Sequence, residues 1–220
     1  MTSIKACLFD LDGVLVDTAK YHYLAWKRLA EELGFTFTEQ DNEKLKGVSR
    51  MASLDILLSV GGLQFDNAKK YELAERKNNW YFESISKMDH TEILPGALDF
   101  LKACQENGLK TALGSASKNA MTILDNTGLT PYFDAIIDGT HTTNAKPDPE
   151  VFLLGAAALS VPPEQCIVFE DAEAGVEAAH RAGMSCVGIG SPATLGQAEL
   201  VVSSLQEMTI ERLKELSLAR

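Results

Sequence analysis

Short apolar runs recur along the chain and have the character of buried parallel strands. Such strands are covered on both faces, so they read as continuous apolar segments rather than as alternating ones. Five runs fit this description, and the segment "ELVVSS" near the C-terminus is a candidate sixth; the five cover residues 4–10, 110–115, 133–138, 166–171 and 185–190.

Segments with helical periodicity lie between these runs. Two of them follow a proline, at Pro95 and Pro147, and three end at a glycine, at Gly108, Gly128 and Gly183. Proline at the start and glycine at the end are typical helix boundaries. Because strand and helix alternate, the pattern predicts an α/β fold with a doubly wound, mostly parallel sheet.

Residues 19–90 break the alternation, because they contain helical segments and no strand-like run. The first of these helices is predicted to begin after an N-cap at Asp17 or Thr18 and to end at Gly34. We therefore predict two domains. Residues 1–18 and 91–220 form an α/β core, and residues 19–90 form an inserted helical cap above the C-terminal ends of the strands.

Polar and charged residues follow several of the predicted strands at the point where each strand ends. They are Asp10, Asp12, Ser115, Glu170 and Asp171, and Lys146 precedes a helix in the loop "TNAKPDPE". Ligands of open α/β sheets bind at this edge. Four carboxylates in one crevice repel each other and favour proton uptake unless a hard cation such as Mg²⁺ binds among them. Any one of these residues alone is equally well explained as a helix cap or a solvated loop residue, so the prediction depends on the set.

Four segments, "DLDGVLVDT", "GSASKN", "AKPDPEVF" and "FEDAEAG", resemble the four motifs of the haloacid dehalogenase superfamily. The resemblance implies a Rossmann-like core in which Asp10 is the nucleophile that becomes an aspartyl phosphate and Asp12 is the general acid and base. It also implies that Ser115 and Lys146 neutralise the transferring phosphoryl group. Mg²⁺ is then expected to bind Asp10, the backbone carbonyl of Asp12 and Asp171, with Glu170 as a fourth ligand or a partner of the ligands.

The segments "LKGVSR", "ERKNNWY" and "DTAKYHYLAW" extend the resemblance into the predicted cap. They are similar to the members of the superfamily that interconvert β-glucose 1-phosphate and glucose 6-phosphate through β-glucose 1,6-bisphosphate. The resemblance implies that Arg50 binds the non-reacting phosphate and that His22 places Asp12. The implied substrate-binding residues are Thr18, His22, Trp26, Gly47, Val48, Ser49, Arg50, Ser53, Lys77, Ala116, Ser117 and Asn119.

Side chains at positions 18, 22 and 26 share one face of a helix, so His22 is able to face the two aspartates. The role of Trp26 stays open between core packing of the cap and a platform for the sugar. A Mg²⁺-dependent sugar-phosphate phosphatase on the same scaffold is the main alternative function, since the two activities differ in how well the cap excludes water. A phospho-receiver domain is disfavoured, because the helical insertion would obstruct a signalling surface.

The amino-acid composition and net charge limit the kinds of binding partner that are expected. The 220 residues are 45% hydrophobic and 23% charged, with a net charge of −11. An acidic surface disfavours nucleic acid and anionic membranes, whereas a small sugar phosphate needs only a few local cations. We expect no targeting signal, a monomer and a cytoplasmic location. The four cysteines have no metal-ligand spacing and are predicted to be buried free thiols; they are Cys7, Cys104, Cys166 and Cys186.

Overall fold

A six-stranded parallel sheet forms the centre of the fold in a computed structural model that describes residues 3–45 and 48–218. The strand order is β3-β2-β1-β4-β5-β6, and every neighbouring pair is parallel. This arrangement confirms the predicted doubly wound sheet. The strands are β1 (Ala6–Phe9), β2 (Lys110–Gly114), β3 (Ala135–Ile137), β4 (Cys166–Glu170), β5 (Ser185–Ile189) and β6 (Leu200–Val202).

Helices cover both faces of this sheet, because successive strand side chains point to opposite faces. Cys7 and Phe9 of β1 lie in one buried cluster, which includes residues of α5, α6 and α10, whereas Leu8 lies in a second cluster with residues of α7 and α8. These helices are α5 (Ala97–Glu106), α6 (Ala120–Thr127), α7 (Glu150–Leu159), α8 (Glu173–Arg181) and α10 (Ile210–Leu218), and a short α9 (Pro192–Leu195) follows β5.

The described residues between 19 and 90 form four α-helices and no strand of the sheet, in line with the helical insertion that the sequence predicts. They are α1 (Ala19–Glu32), α2 (Glu39–Glu43), α3 (Arg50–Val60) and α4 (Asn67–Ile85). A third buried apolar cluster, which includes Trp26, Leu54 and Leu73, joins α1, α3 and α4. The short α2 was not predicted; it is stabilised by a capping box between Thr38 and Asp41. The division into core and cap domains stays a prediction.

The first helix begins where predicted, but its capping differs. Thr18 is the N-cap residue, yet its side chain makes no capping hydrogen bond; it donates to Asp12 instead. Gly34, with a φ of 89°, follows the end of the helix as expected. The segments that leave and re-enter the sheet lie side by side, since Leu94 N donates to Leu15 O over 2.9 Å.

All four cysteines are buried and free, which confirms that prediction. Within residues 3–45 and 48–218, no helix is both long and apolar enough to cross a membrane.

Candidate active site

A cavity of about 310 Å³ lies between helices α1, α3 and α4 and the carboxyl ends of the strands. Thirteen of the residues singled out in the sequence line it, and they come from both predicted domains: Asp10, Asp12, His22, Trp26, Val48, Ser49, Arg50, Ser53, Lys77, Ala116, Ser117, Asn119 and Asp171. Gly47 was also predicted here but lies outside the described residues.

Four other predicted site residues are buried behind the wall of the cavity. Thr18 and Ser115 are fully buried, Glu170 is 1% exposed and Lys146 is 4% exposed. Their positions follow from the topology, because Ser115 follows β2, Glu170 ends β4, and both strands flank β1. The carboxyl ends of these strands therefore bring the predicted set together.

Lys146 binds two of the carboxylates. Its Nζ donates to Asp10 Oδ1 over 2.6 Å and to Glu170 Oε1, while Glu170 Oε2 accepts from the backbone N–H of Ala172 over 3.0 Å. Burial lowers the pKa of Lys146, but the Asp10 and Glu170 carboxylates outweigh burial and raise it. Lys146 is therefore a fixed positive charge beside Asp10.

Asp10 has a pKa raised to about 7. Burial is the largest cause, and the nearby charges of Glu170 and Asp12 add to it, whereas Lys146 opposes it. From the sequence, repulsion among the carboxylates was expected to favour proton uptake. The structure assigns the larger part to desolvation, because Asp10 is only 7% exposed.

Asp12 lies beside Asp10 and has a more open environment. Thr18 Oγ1 donates to Asp12 Oδ1, and His22 Nε2 lies 3.9 Å from the same oxygen, with 28% of the Asp12 side chain exposed. Burial is the largest cause that raises the pKa of Asp12, and the hydrogen bond from Thr18 opposes it. A carboxyl group with a raised pKa is suited to exchange a proton with a ligand in the cavity.

His22 is held from the other side by α4. Lys77 Nζ lies 2.8 Å from His22 Nδ1, and the His22 ring stacks on Tyr81 with centroids 4.0 Å apart. Burial, with Lys77 and Arg50 nearby, lowers the pKa of His22 well below its usual value. When Lys77 donates to Nδ1, the imidazole proton is on Nε2, the atom that faces Asp12.

Lys77 is a buried cation among aromatic rings. It is 3% exposed, and its Nζ lies 4.6 Å from the centre of the Trp26 ring and 4.7 Å from that of Tyr81. Burial, with Arg50 nearby, lowers the pKa of Lys77 to about 7. Trp26 belongs to the buried cluster of α1, α3 and α4 and also lines the cavity. Its role as a platform for the sugar stays a prediction.

Arg50 is the first residue of α3 and also lines the cavity. Its Nη1 donates to Glu75 Oε1 over 2.6 Å, a partner that the sequence did not suggest. Ser49 caps the same helix, since its side chain accepts from Ala52 N over 3.3 Å. Ser53 lies one turn further along and is 4% exposed.

The loop after β2 forms the core side of the cavity. Ser115 Oγ accepts from Ser117 N over 3.1 Å, and Ser117 Oγ accepts from Asn119 N over 3.2 Å. Asn119 Nδ2 donates to Asn78 Oδ1 of α4 over 3.1 Å. This last contact joins the loop after β2 to α4.

Some lining residues were missed from the sequence although they adjoin recognised segments. Asn78 follows Lys77 in "ERKNNWY", Lys118 lies within "SASKN", and Asn144 and Ala145 precede Lys146. Their position beside the motifs was the available signal.

The carboxylates of Asp10, Glu170 and Asp171 form a group that fits a metal ion. Each offers an oxygen, and these oxygens lie within 4.8 Å of one another. Gly13 lets the Asp171 carboxylate lie close to the backbone after Asp12. Its φ is 80°, and a Cβ there would lie 2.3 Å from Asp171 Oδ2. An all-oxygen donor set with net negative charge suits a hard divalent cation such as Mg²⁺.

Comparisons with known proteins show which family the chain resembles. The family model for haloacid dehalogenase-like hydrolases matches residues 4–183. The chain is 44% identical over 214 residues to β-phosphoglucomutase from Bacillus subtilis, covering 96% of this chain and 95% of that protein. It is 35% identical over 185 residues to a phosphorylated carbohydrates phosphatase from Thermotoga maritima, covering 82% of each.

A solved structure is similar over the whole length. The crystal structure of β-phosphoglucomutase from Clostridium difficile superposes with a TM-score of 0.94 at 42% identity, covering 99% of this chain and 100% of that one. These findings confirm the resemblance that the sequence motifs carry. With a family match over most of its length and a close relative along nearly all of it, the chain belongs to the haloacid dehalogenase-like hydrolase family.

Proposed function

We propose that the protein is a β-phosphoglucomutase, which interconverts β-D-glucose 1-phosphate and D-glucose 6-phosphate through an aspartyl-phosphate enzyme and β-glucose 1,6-bisphosphate. The carrying observation is that one cavity is lined both by the Asp10–Asp12 pair and by Arg50 of α3. A mutase of this kind needs a reactive phosphate site and a distal one at the same time. The similarity to β-phosphoglucomutases over nearly the full chain supports the same proposal.

In the first half-reaction, a carboxylate oxygen of Asp10 attacks the phosphorus of the bisphosphate. The bond between phosphorus and the sugar oxygen breaks, and Asp12 gives its proton to the leaving oxygen. Thr18 and His22 contact Asp12 and orient its carboxyl group. The products are the aspartyl phosphate and a hexose monophosphate.

In the second half-reaction, a hydroxyl of β-glucose 1-phosphate attacks the phosphorus of the aspartyl phosphate. Asp12 accepts the hydroxyl proton, the bond between phosphorus and the Asp10 oxygen breaks, and Asp10 leaves as a carboxylate. The bisphosphate that forms must turn round so that its other phosphate faces Asp10. Asp12 thus alternates between base and acid, which suits a carboxyl group with a raised pKa.

Charge on the transferring group needs fixed cations and donors. Lys146 supplies a fixed positive charge beside Asp10. Ser115 and the backbone amides of the loop after β2 are the proposed donors. Asp10, Asp171 and the backbone carbonyl of Asp12 would hold Mg²⁺, with Glu170 as a further ligand or a partner of Lys146. When bound, the ion neutralises phosphoryl oxygens and the carboxylate cluster.

A mutase must keep water away from the aspartyl phosphate, and a cap domain would do this. We propose that residues 19–90 form this domain over a core of residues 1–18 and 91–220. Closure over the aspartyl phosphate prevents its hydrolysis, so mutase and phosphatase activities compete through access of water. A Mg²⁺-dependent sugar-phosphate phosphatase remains the second candidate, favoured by the 35% identity to the phosphatase from Thermotoga maritima.

Replacement of Arg50 tests the distal site. Arg50→Ala should lower mutase kcat/KM by about 10²-fold, since bidentate arginine–phosphate contacts are strong, whereas hydrolysis of acetyl phosphate, which has no distal phosphate, should change less than about threefold. Arg76→Ala, on the exposed side of α4 with a side chain 42% exposed, is the control and should leave both rates unchanged. Equal losses in both assays for Arg50→Ala would contradict a distal phosphate role.

A further inference from the structure

Arg50, which lines the cavity, belongs to an ion pair that the proposed reaction does not use. Arg50 Nη1 donates to Glu75 Oε1 over 2.6 Å. The Arg50 side chain is 25% exposed and lines the cavity, while the Glu75 side chain is 64% exposed. Arg50 begins α3 and Glu75 belongs to α4, so the pair joins two helices. The two residues are 25 positions apart in the sequence.

The surroundings of Arg50 favour an anion. The residue stands at the N-terminus of the 11-residue α3, where the helix dipole adds positive potential. The Lys77 ammonium is near enough that Arg50 lowers the pKa of Lys77. A guanidinium in this position needs a negative partner, and a carboxylate and a phosphate oxygen present similar acceptors to it.

Glu75 is well placed to be exchanged. Its side chain is mostly exposed, so water can solvate the carboxylate as soon as the guanidinium turns away. Exposed ion pairs are weak and are screened by salt. A phosphate carries more charge than a carboxylate and offers more acceptor oxygens, so it should displace Glu75 when it enters the cavity.

We propose that Glu75 is an affinity-determining residue that competes with the distal phosphate of the substrate for Arg50. In the ligand-free protein the carboxylate holds the guanidinium, and substrate binding exchanges the Arg50–Glu75 pair for an Arg50–phosphate pair. The inference rests on the proposed function only in taking the ligand to be a sugar phosphate. Its consequence is weaker substrate binding than the cavity would give without Glu75, which also eases the release of a bisphosphate that must turn round.

Glu75→Gln removes the competing charge and keeps the side-chain size. We expect KM for β-glucose 1-phosphate, and the Kd of glucose 6-phosphate measured by isothermal titration calorimetry, to fall about two- to fivefold, the effect typical of an exposed ion pair. Turnover, kcat, should change less than about twofold. The difference from the wild type should shrink in 0.5 M NaCl, where exposed pairs are screened.

Glu72→Gln is the matched control. Glu72 lies on the same helix with a side chain 51% exposed and pairs with Lys69 and Arg76 rather than Arg50. It removes the same charge from the protein, so it reports any general electrostatic effect and should change neither KM nor Kd. In an Arg50→Ala background, Glu75→Gln should have no further effect, because the two residues act through one contact.

An unchanged or raised KM and Kd in Glu75→Gln would overturn the proposal, as would equal effects of Glu72→Gln or a full effect in the Arg50→Ala background. The calorimetric readout separates this proposal from the proposed function. If the wild type does not convert β-glucose 1-phosphate but its Kd for glucose 6-phosphate still depends on Glu75 through Arg50, the mutase assignment fails and the competition stands.

Discussion

Asp10 and Lys146 carry opposite charges in a place from which water is largely excluded. Each is less than 8% exposed, and the 2.6 Å contact between them fixes the orientation of the carboxylate. Removing one partner leaves the other as an unpaired buried charge. The free-energy cost of that charge is larger than the net stabilisation that the intact pair provides. We therefore expect this pair to hold the Asp10 carboxylate in the orientation that the proposed nucleophile requires.

Asp10→Asn should abolish turnover, by a factor on the order of 10³ or more, because an amide cannot form the acyl phosphate. Circular dichroism should show an intact fold, because Lys146 keeps Glu170 as a charged partner, although the midpoint of thermal unfolding should fall. Asp99→Asn, an exposed change in the first turn of α5, should keep full activity. Substantial turnover of a sugar phosphate by a purified Asp10→Asn variant would contradict the nucleophile assignment.

Gly13 permits both the turn after Asp12 and the approach of Asp171. Gly13→Ala should reduce Mg²⁺ affinity at least about tenfold, as is typical when the supports of a metal site are disturbed, because the new Cβ meets the Asp171 carboxylate at 2.3 Å. Magnesium binding is measured by calorimetry.

Gly183→Ala controls for backbone strain alone. Gly183 has a φ of 74°, close to the 80° of Gly13, but nothing lies within 4 Å of the position of its Cβ. The Gly183→Ala variant should be less stable than the wild type by about 1 kcal/mol and should bind Mg²⁺ with unchanged affinity. Equal affinities in both variants and the wild type would show that Gly13 does not shape the metal site.

The location of a site residue was predictable from the sequence where the residue directly follows a strand. Asp10, Ser115 and Glu170 follow strands that the topology then makes neighbours, so the edge of the sheet brings them together. Pairs across helices were not predictable in this way. The contact between Lys77 and His22 and that between Arg50 and Glu75 depend on how α4 packs against α1 and α3, and no local pattern specifies that packing.

Helix α4 contributes several of the side-chain contacts around the cavity. It carries Glu75, Lys77, Asn78 and Tyr81, which contact Arg50, His22 and Asn119 on three other parts of the chain. Its length of 19 residues lets one rigid element reach all of these partners. Placing Lys77 in the interior has an energetic cost, since burial disfavours its charged form.

Lys77→Met should therefore make the protein more stable near neutral pH. The folded protein has a Lys77 pKa of about 7 against a usual value of 10.5, so between these values it binds fewer protons there than the unfolded chain does. Stability of the wild type thus rises with pH across this window. The gain from the substitution is greatest at and below pH 7, up to about 5 kcal/mol at about 1.4 kcal/mol per pKa unit, and shrinks towards pH 10.5.

Urea unfolding at pH 6, 7.5 and 9 measures this dependence. Lys69→Met, on the same helix with a side chain 40% exposed, serves as the control and should show no such trend. A Lys77→Met variant that is less stable than the wild type at pH 6 would mean that the contacts of Lys77 with His22 and the aromatic rings outweigh its burial.

At the scale of elements, the sequence pattern predicted the strands well and the shorter helices poorly. The continuous apolar runs correspond to β1 through β5, and the candidate sixth run contains β6. Helix α2 has five residues and none of them is buried, so it leaves no apolar periodicity to recognise. Its signal was the cap residue Thr38 with Asp41 three positions later.

The whole molecule places a reactive centre in the α/β sheet under a set of helices inserted after its first strand. The hydrogen bond between Asn119 and Asn78 spans these two parts beside the cavity. The fold was predictable from the alternation of strand and helix, and the grouping of polar residues was predictable from the strand ends. How far the helices exclude water is a matter of packing and motion, which a pattern of residue types does not encode. The monomeric state and the domain boundaries likewise stay predictions.

The most direct test of the account records both products in one tube. Purified protein receives Mg²⁺, β-glucose 1-phosphate and a trace of β-glucose 1,6-bisphosphate, and glucose 6-phosphate and free phosphate are followed together. We expect glucose 6-phosphate to form rapidly with little free phosphate, because the helices around the cavity keep water from the aspartyl phosphate. Free phosphate forming at a comparable or higher rate would contradict the mutase and make the protein a sugar-phosphate phosphatase with the same reactive centre.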